Sequence, residues 1–221
     1  MGDLDYGGDS SSVQAELKNV DTIYSNGTAF AAKLVDKSIV TWGEAESGGD
    51  SSSVHAKLKN VDTIHSTGWA FAAKLDNGSV VTWGDANAGG DSMSVQTKLK
   101  KVDTIYSNST AFAAKLADRS VVTWGHASFG GNSTSVQAKL KNVNTIYSNT
   151  RAFVAKFDNG SIVTWGNAYL GGDSSSLQAE LKAVDTIYSN NSAFAAKLKH
   201  GSVVTWGTQT MAETAALCRL N

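Results

Sequence analysis

The chain has 221 residues, 41% hydrophobic and 18% charged, with a formal net charge of −1. That composition is globular, and the absence of a basic excess argues against nucleic acid as a partner. A single cysteine, Cys218, rules out an internal disulfide framework; no run of about 18 apolar residues is present to span a membrane, and residues 1–25 lack the pattern of a secretory leader.

Spacing organises everything else. Trp42, Trp83, Trp124, Trp165 and Trp206 stand 41 residues apart, and so do the Gly-Gly pairs opened by Gly7, Gly48, Gly89, Gly130 and Gly171. A fixed period of this size is the signature of a propeller or a solenoid. Five units follow, at about 7–47, 48–88, 89–129, 130–170 and 171–207, with a tail at 208–221. The tail reads as helical from Thr210 to Leu220, placed to cap an array end.

Within the second unit, Gly48-Gly49-Asp50 predicts a turn. Residues Ser51–Lys59 predict a helix of about two turns, with Asp50 or Ser51 as cap and Val54 and Leu58 on one face; a strand is the competing assignment. Three strands are predicted next: Val61–Ser66, Trp69–Leu75 and Ser79–Trp83. Asn77-Gly78 supplies the hairpin turn between the last two. The runs AFAA and VVTW place apolar residues at consecutive positions, so both faces of the sheet are expected to be buried, as in a propeller blade. The alanines Ala31, Ala72, Ala113 and Ala195, with Val154 as the enlarged copy, suggest an innermost strand, and the tryptophans the wider space further out.

The expected architecture is therefore mainly β: a five-bladed propeller-like ring with three strands and a short helix per unit, or alternatively an open solenoid. Residues Gly2–Tyr6 align with Gly43–Ser47, which leaves a spare strand, Val203–Trp206, at the other end. Closure predicts that this strand packs near Gly2–Gly8. Near-identical units also allow strand exchange, hence a homo-oligomer.

The string Ala-Phe-Ala-Ala-Lys-Leu, a turn, Ser-Val-Val-Thr-Trp-Gly and then Gly-Gly-Asp resembles the repeat of the regulator of chromosome condensation family, over about Gly2–Gly207. The resemblance implies β-propeller blades. Gly-Gly-Asp replaces that family's Gly-Gln-Leu-Gly, and the unit is shorter than its usual 50 or so residues. This short form resembles repeats of large bacterial surface and secreted proteins, which implies a secreted or surface-exposed parent. The founder's guanine-nucleotide exchange activity does not carry over, because only structural positions match.

Catalytic chemistry finds little support. His55, His65, His126 and His200 each stand where other copies carry something else, and none has metal-ligand spacing. The serine runs lack a recurring His and carboxylate, and Gly-Gly-Asp-Ser-Ser lacks the lysine of a phosphate loop. No cofactor is expected. Asp3, Asp5 and Asp9 have a spacing open to Ca²⁺, although solvated turn carboxylates explain it as well. Lys33, Lys74, Lys115, Lys156 and Lys197 form one repeat set and Asp21, Asp62, Asp103 and Asp185 another. Together they suggest either an anion-attracting ring or solvated neighbours.

The expected function is a non-catalytic, multivalent binding module for a protein or a glycan, with a structural spacer as the alternative and an exchange-factor-like regulator a remote third. Two sets of residues are candidates for the ligand. Variation among copies collects before the Ala-rich strand, at Trp69 and Arg151, and after Trp-Gly, at Phe129 and Tyr169. The repeated set is Tyr24, His65, Tyr106, Tyr147 and Tyr188, which would engage together.

Overall fold

A computed structural model describes residues 7–208. Fifteen strands form five separate three-stranded antiparallel sheets, each in sequential order. Blade 1 holds β1 (Val20–Ser25), β2 (Ala29–Leu34) and β3 (Ile39–Gly43), and blade 2 holds β4 (Val61–Ser66), β5 (Ala70–Leu75) and β6 (Val80–Gly84). Blade 3 holds β7 (Val102–Ser107), β8 (Ala111–Leu116) and β9 (Val121–Gly125). Blade 4 holds β10 (Val143–Ser148), β11 (Ala152–Phe157) and β12 (Ile162–Gly166), and blade 5 holds β13 (Val184–Ser189), β14 (Ala193–Leu198) and β15 (Val203–Gly207). The mainly-β, propeller-type architecture read from the sequence is the one observed.

The turn chemistry works as the residues dictate. Leu75 N donates to Ser79 O across the second hairpin, with Gly78 at φ +75°. Lys37 and Arg119 hold the same left-handed place at φ +66° without glycine's freedom.

Each of the three internal sheets buries both faces because a neighbour lies on each side. Face one of a blade carries the Ile of its first strand, the Phe of its second and the Trp of its third. The opposite face carries small alanines and the first residue of the third strand. The junction of blades 2 and 3 shows the pattern: Ala70, Ala72 and Val80 meet Leu99, Val102, Ile105, Phe112 and Trp124. Three further clusters repeat it at the other junctions. Phe and Trp stack within each blade at 5.1–5.4 Å between ring centroids. Each indole N–H donates to the first glycine carbonyl of its Gly-Gly pair, as Trp83 does to Gly48 at 3.0 Å. A buried aromatic of about 200 Å² contributes at most roughly 5 kcal/mol, so this repeated pair is the main stabilising layer.

Three features differ from the sequence reading. The Ala-rich strand is the middle strand of every sheet. Its side chains are small because a neighbouring Phe or Trp lies against them, and the VDTIYS strands are the ones that meet from blade to blade. The expected helix is reduced to turns with a single 3₁₀ turn, His55–Lys57 in unit 2 and Gln137–Lys139 in unit 4. Its bonds are of the i→i+3 kind, such as Lys57 N to Val54 O, because so short a segment takes its shape from packing. Val54 and Leu58 nevertheless reach one core cluster, as their spacing implied.

The third difference concerns closure. Strand β15 pairs with β14 in its own sheet, and Gly7 accepts from Trp42 within blade 1. Of the segment expected to meet β15, residues 2–6 lie outside the described residues. Ile23 is 56% exposed where Ile64 is 3%, and Val203 is 61% exposed where Val80 is 1%. The two terminal faces are thus open, and the sheets form an open array. The physical reason is that, among the described residues, no face lies against either end. The tail expected to be helical, 209–221, also lies outside the described residues.

Candidate binding surfaces

Five sets of residues are candidates for a binding surface. The first is the Lys/Asp sets, which pair within their own blades: Lys33 with Asp21 at 3.0 Å, Lys74 with Asp62 at 2.8 Å and Lys115 with Asp103 at 3.0 Å. The lysine hydrogen bond holds each of these aspartates below the usual carboxylate range. In blade 4, Asn144 replaces the aspartate and donates to Asp158, which also receives Arg119. Lys33, Lys74, Lys115 and Lys197 are therefore each paired with an aspartate of their own blade, which fits the solvated-pair reading over an anion-attracting ring.

The turn carboxylates are similarly engaged. Asp9, Asp50, Asp91 and Asp173 each accept from the backbone N–H two residues on, and Asp85 accepts from Asn87 N and Ala88 N. These are Asx turns, a structural use of the same oxygens. Asp3 and Asp5 lie outside the described residues.

The repeated Tyr/His set proves to be part of the packing. Tyr24, Tyr106 and Tyr147 are half-buried against the junction clusters. Burial raises the Tyr147 hydroxyl above its usual range. His65 occupies the same place in blade 2; burial, and then the nearby Lys74 charge, lower its proton affinity, so it is neutral at pH 7. Tyr188 is exposed, with no further blade packed on it among the described residues. The set is brought together in one line of the array, but only Tyr188 presents most of its surface.

The variable residues gather differently. A recurring Asn pins the loop between the first two strands of a blade. Asn108 Oδ1 accepts from Thr110 N and Ala111 N while its Nδ2 donates to Phe129 O at 2.7 Å. Asn26 does the same to Ser47 O and Asn149 to Leu170 O; Thr67 substitutes by donating to Ala88 O. The two variable loops of a blade are thereby fixed side by side on one rim. Between blades they also touch, the Arg151 guanidinium lying 4.6 Å from the Phe129 ring centroid, while within its own loop Phe129 stacks on His126 at 4.2 Å. The Nδ1 of His126 is buried without a hydrogen-bond partner. On this rim Trp69 is 45% exposed and Tyr169 83%. Trp69 and Arg151 were legible as site candidates; Phe129 and Tyr169 showed as variable positions. The Asn pins were missed, although Asn26, Asn108, Asn149 and Asn190 recur at the repeat spacing.

A further set of features is repeated. Along the third strands β3, β6 and β9 run grooves of about 810, 690 and 820 Å³. Equivalent residues line them: Asp50, Asp91 and Asn132, with Ser51, Ser92 and Ser133. Gln96 and Gln137 reach across to the strand carbonyls of Val80 and Val121.

These five blades define a β-propeller-type repeat scaffold. No protein-family model matches the chain, and no curated protein matches it in sequence. The fold is shared with solved structures. Prp20p from Saccharomyces cerevisiae, described with its binding properties to Gsp1p and histones, aligns with a TM-score of 0.56 and 15% identity, over 89% of this chain and 59% of that one. Yeast RCC1 (Prp20) bound to Kap60 aligns with a TM-score of 0.54 and 15% identity, over 89% and 57%. The CRINKLY WD40 ectodomain of the Arabidopsis thaliana receptor kinase ACR4 gives 0.51 and 15%, over 87% and 66%. The fold expected from the repeat resemblance is thus the fold found. The chain spans less than two thirds of the length of each of these neighbours.

Proposed function

We propose that this chain is a non-catalytic binding module that engages a protein through its variable rim. The observation that supports this most is the pairing of a fixed scaffold with unlike side chains. Asn26, Asn108 and Asn149, with Thr67 in blade 2, tie the two loops of blades 1 to 4 together, and what the loops present differs from blade to blade: Trp69, then Phe129 with Arg151, then Tyr169. Aromatic and Arg side chains on rigid loops are the usual anchors of protein recognition. Propellers of this fold bind proteins, Prp20p among them, which supports the reading. Its setting in a secreted or surface-exposed parent belongs to the same proposal.

The grooves favour a second reading. Three equivalent, polar-lined clefts suit a repeating glycan bound with avidity, each site weak alone. The two are separated by selecting displayed random peptides against the immobilised chain, beside a glycan array. The rim reading expects enriched peptides whose affinity falls at least tenfold in Trp69→Ala or Arg151→Ala. Glycan binding that weakens only modestly with each single groove change supports the second reading. Neither peptide nor glycan retained above an unrelated control protein leaves the spacer role.

A further inference from the structure

We propose that the two open faces of the array bind each other between copies, so that a second copy of this chain docks head to tail and forms one more blade junction. The reasoning starts from the four internal junctions, which are four examples of one interface. In each, a face bearing Ile, Phe and Trp covers a face bearing alanines and a branched residue. Blade 1 presents the first kind of face uncovered, with Ile23 exposed and Phe30 and Trp42 only half-buried where Phe71 and Trp83 are buried. Among the described residues blade 5 presents the second kind uncovered, with Tyr188 and Val203 exposed and Ala193 and Ala195 half-buried where Ala70 and Ala72 are buried. The missing partner of each face is thus the other, and a second copy carries both.

The polar edges agree. At the internal junctions the first residue of each following blade donates its N–H to the preceding hairpin, as Val102 N does to Gly78 O at 2.9 Å and Val184 N to Gly160 O at 2.9 Å. A docked copy would give Val20 N the carbonyl of Gly201. Ser148 Oγ donates to Ser107 O and Ser189 Oγ to Ser148 O, both at 2.8 Å. Ser25 Oγ has the equivalent acceptor in Ser189 O of the second copy. A backbone line runs along the array from Gly27 N to Gly68 O at 3.1 Å and from Gly68 N to Ser109 O at 2.8 Å. Asn191 N and Gly27 O continue that line across the new junction. No part of it needs strand exchange, since every blade already holds its three strands.

Such a contact is heterologous, so it closes into a ring if the rotation per chain allows and otherwise extends as a filament. Either outcome distinguishes it from a face-to-face dimer made of one surface used twice.

The test is sedimentation velocity on the full chain from low micromolar to near-millimolar concentration, with Ile23→Glu and Val203→Glu. Both positions are exposed, so near-ultraviolet circular dichroism should match the parent. The parent is expected to associate with rising concentration, and each variant to remain monomeric alone. Mixing is decisive: Val203→Glu keeps a working first face and Ile23→Glu a working last face, so together they should form a 1:1 complex that grows no further. A parent that stays monomeric throughout overturns the proposal. So does association that persists in either variant, or a mixture in which no complex forms.

Discussion

Two tryptophans of adjoining blades, Trp124 on a strand and Trp69 in the loop before one, have opposite surroundings. Trp124 lies in the buried layer, stacked on Phe112 at 5.1 Å, with its N–H given to Gly89 O at 3.0 Å. Trp69 stands on the rim, in a loop fixed by Thr67 and bordered by solvent. The first is found in every copy because five identical junction halves need it. The second occupies a place that holds Thr28, Thr110, Arg151 and Ser192 elsewhere. The buried layer determines the blade and leaves the rim free to differ. That division is why a repeat scaffold can change what it presents without changing its fold.

Changes in the buried layer should break the comparison hardest. Phe112→Ala removes a fully buried ring that packs on Trp124 and Gly89, and should cost about 3–5 kcal/mol in urea denaturation. Gly89→Ala tests how closely that layer is packed. A Cβ there would sit 2.6 Å from Phe112 Cδ2, at a φ of +98° that L-residues avoid. A loss of about 2–4 kcal/mol is expected from clash and strain together.

A subtler effect comes from His65, the single copy without tyrosine. Burial lowers its proton affinity, so on acidification the unfolded chain takes up the proton first. Its contribution is complete above the ordinary imidazole value of about 6.5 and is lost as pH falls below it. The melting temperature of the parent should therefore drop between about pH 7 and about pH 5 more than that of His65→Tyr. Equal slopes would place His65 in water. The smallest change is Ala183→Asn. Ala183 sits at φ +56°, where Asn19, Asn60 and Asn142 stand in other copies. Asn tolerates this conformation better, and a gain of about 0.5–1 kcal/mol should appear as a raised urea midpoint.

The parts of this molecule that were legible in the sequence are those set by local chemistry or by the period. Trp-Gly spacing, the Asn77-Gly78 turn and the doubly buried AFAA and VVTW runs each led to the observed strands. Features decided by what lies across a junction were not legible. The alanines look the same in an inner or a middle strand, since both require small side chains. Val54 and Leu58 have the spacing of one α-helical face, yet they flank a 3₁₀ turn, because packing rather than spacing sets the shape of so short a segment. The tyrosines recur for packing reasons, which a repeat pattern cannot separate from recognition. Ring closure depends on the rotation per blade, a quantity no single unit contains. On the candidate site, Trp69 and Arg151 showed as unlike residues in a common loop. Their meeting with Phe129 depended on the Asn pins, whose spacing was visible but whose hydrogen bonds were not.

The most direct measurement is the same substitution made in both places and followed by urea denaturation. Trp124→Ala should lower stability by about 3–5 kcal/mol, with the slope unchanged, and Trp69→Ala by less than about 1 kcal/mol. Comparable losses at the two positions would contradict the division between a buried structural layer and a free rim.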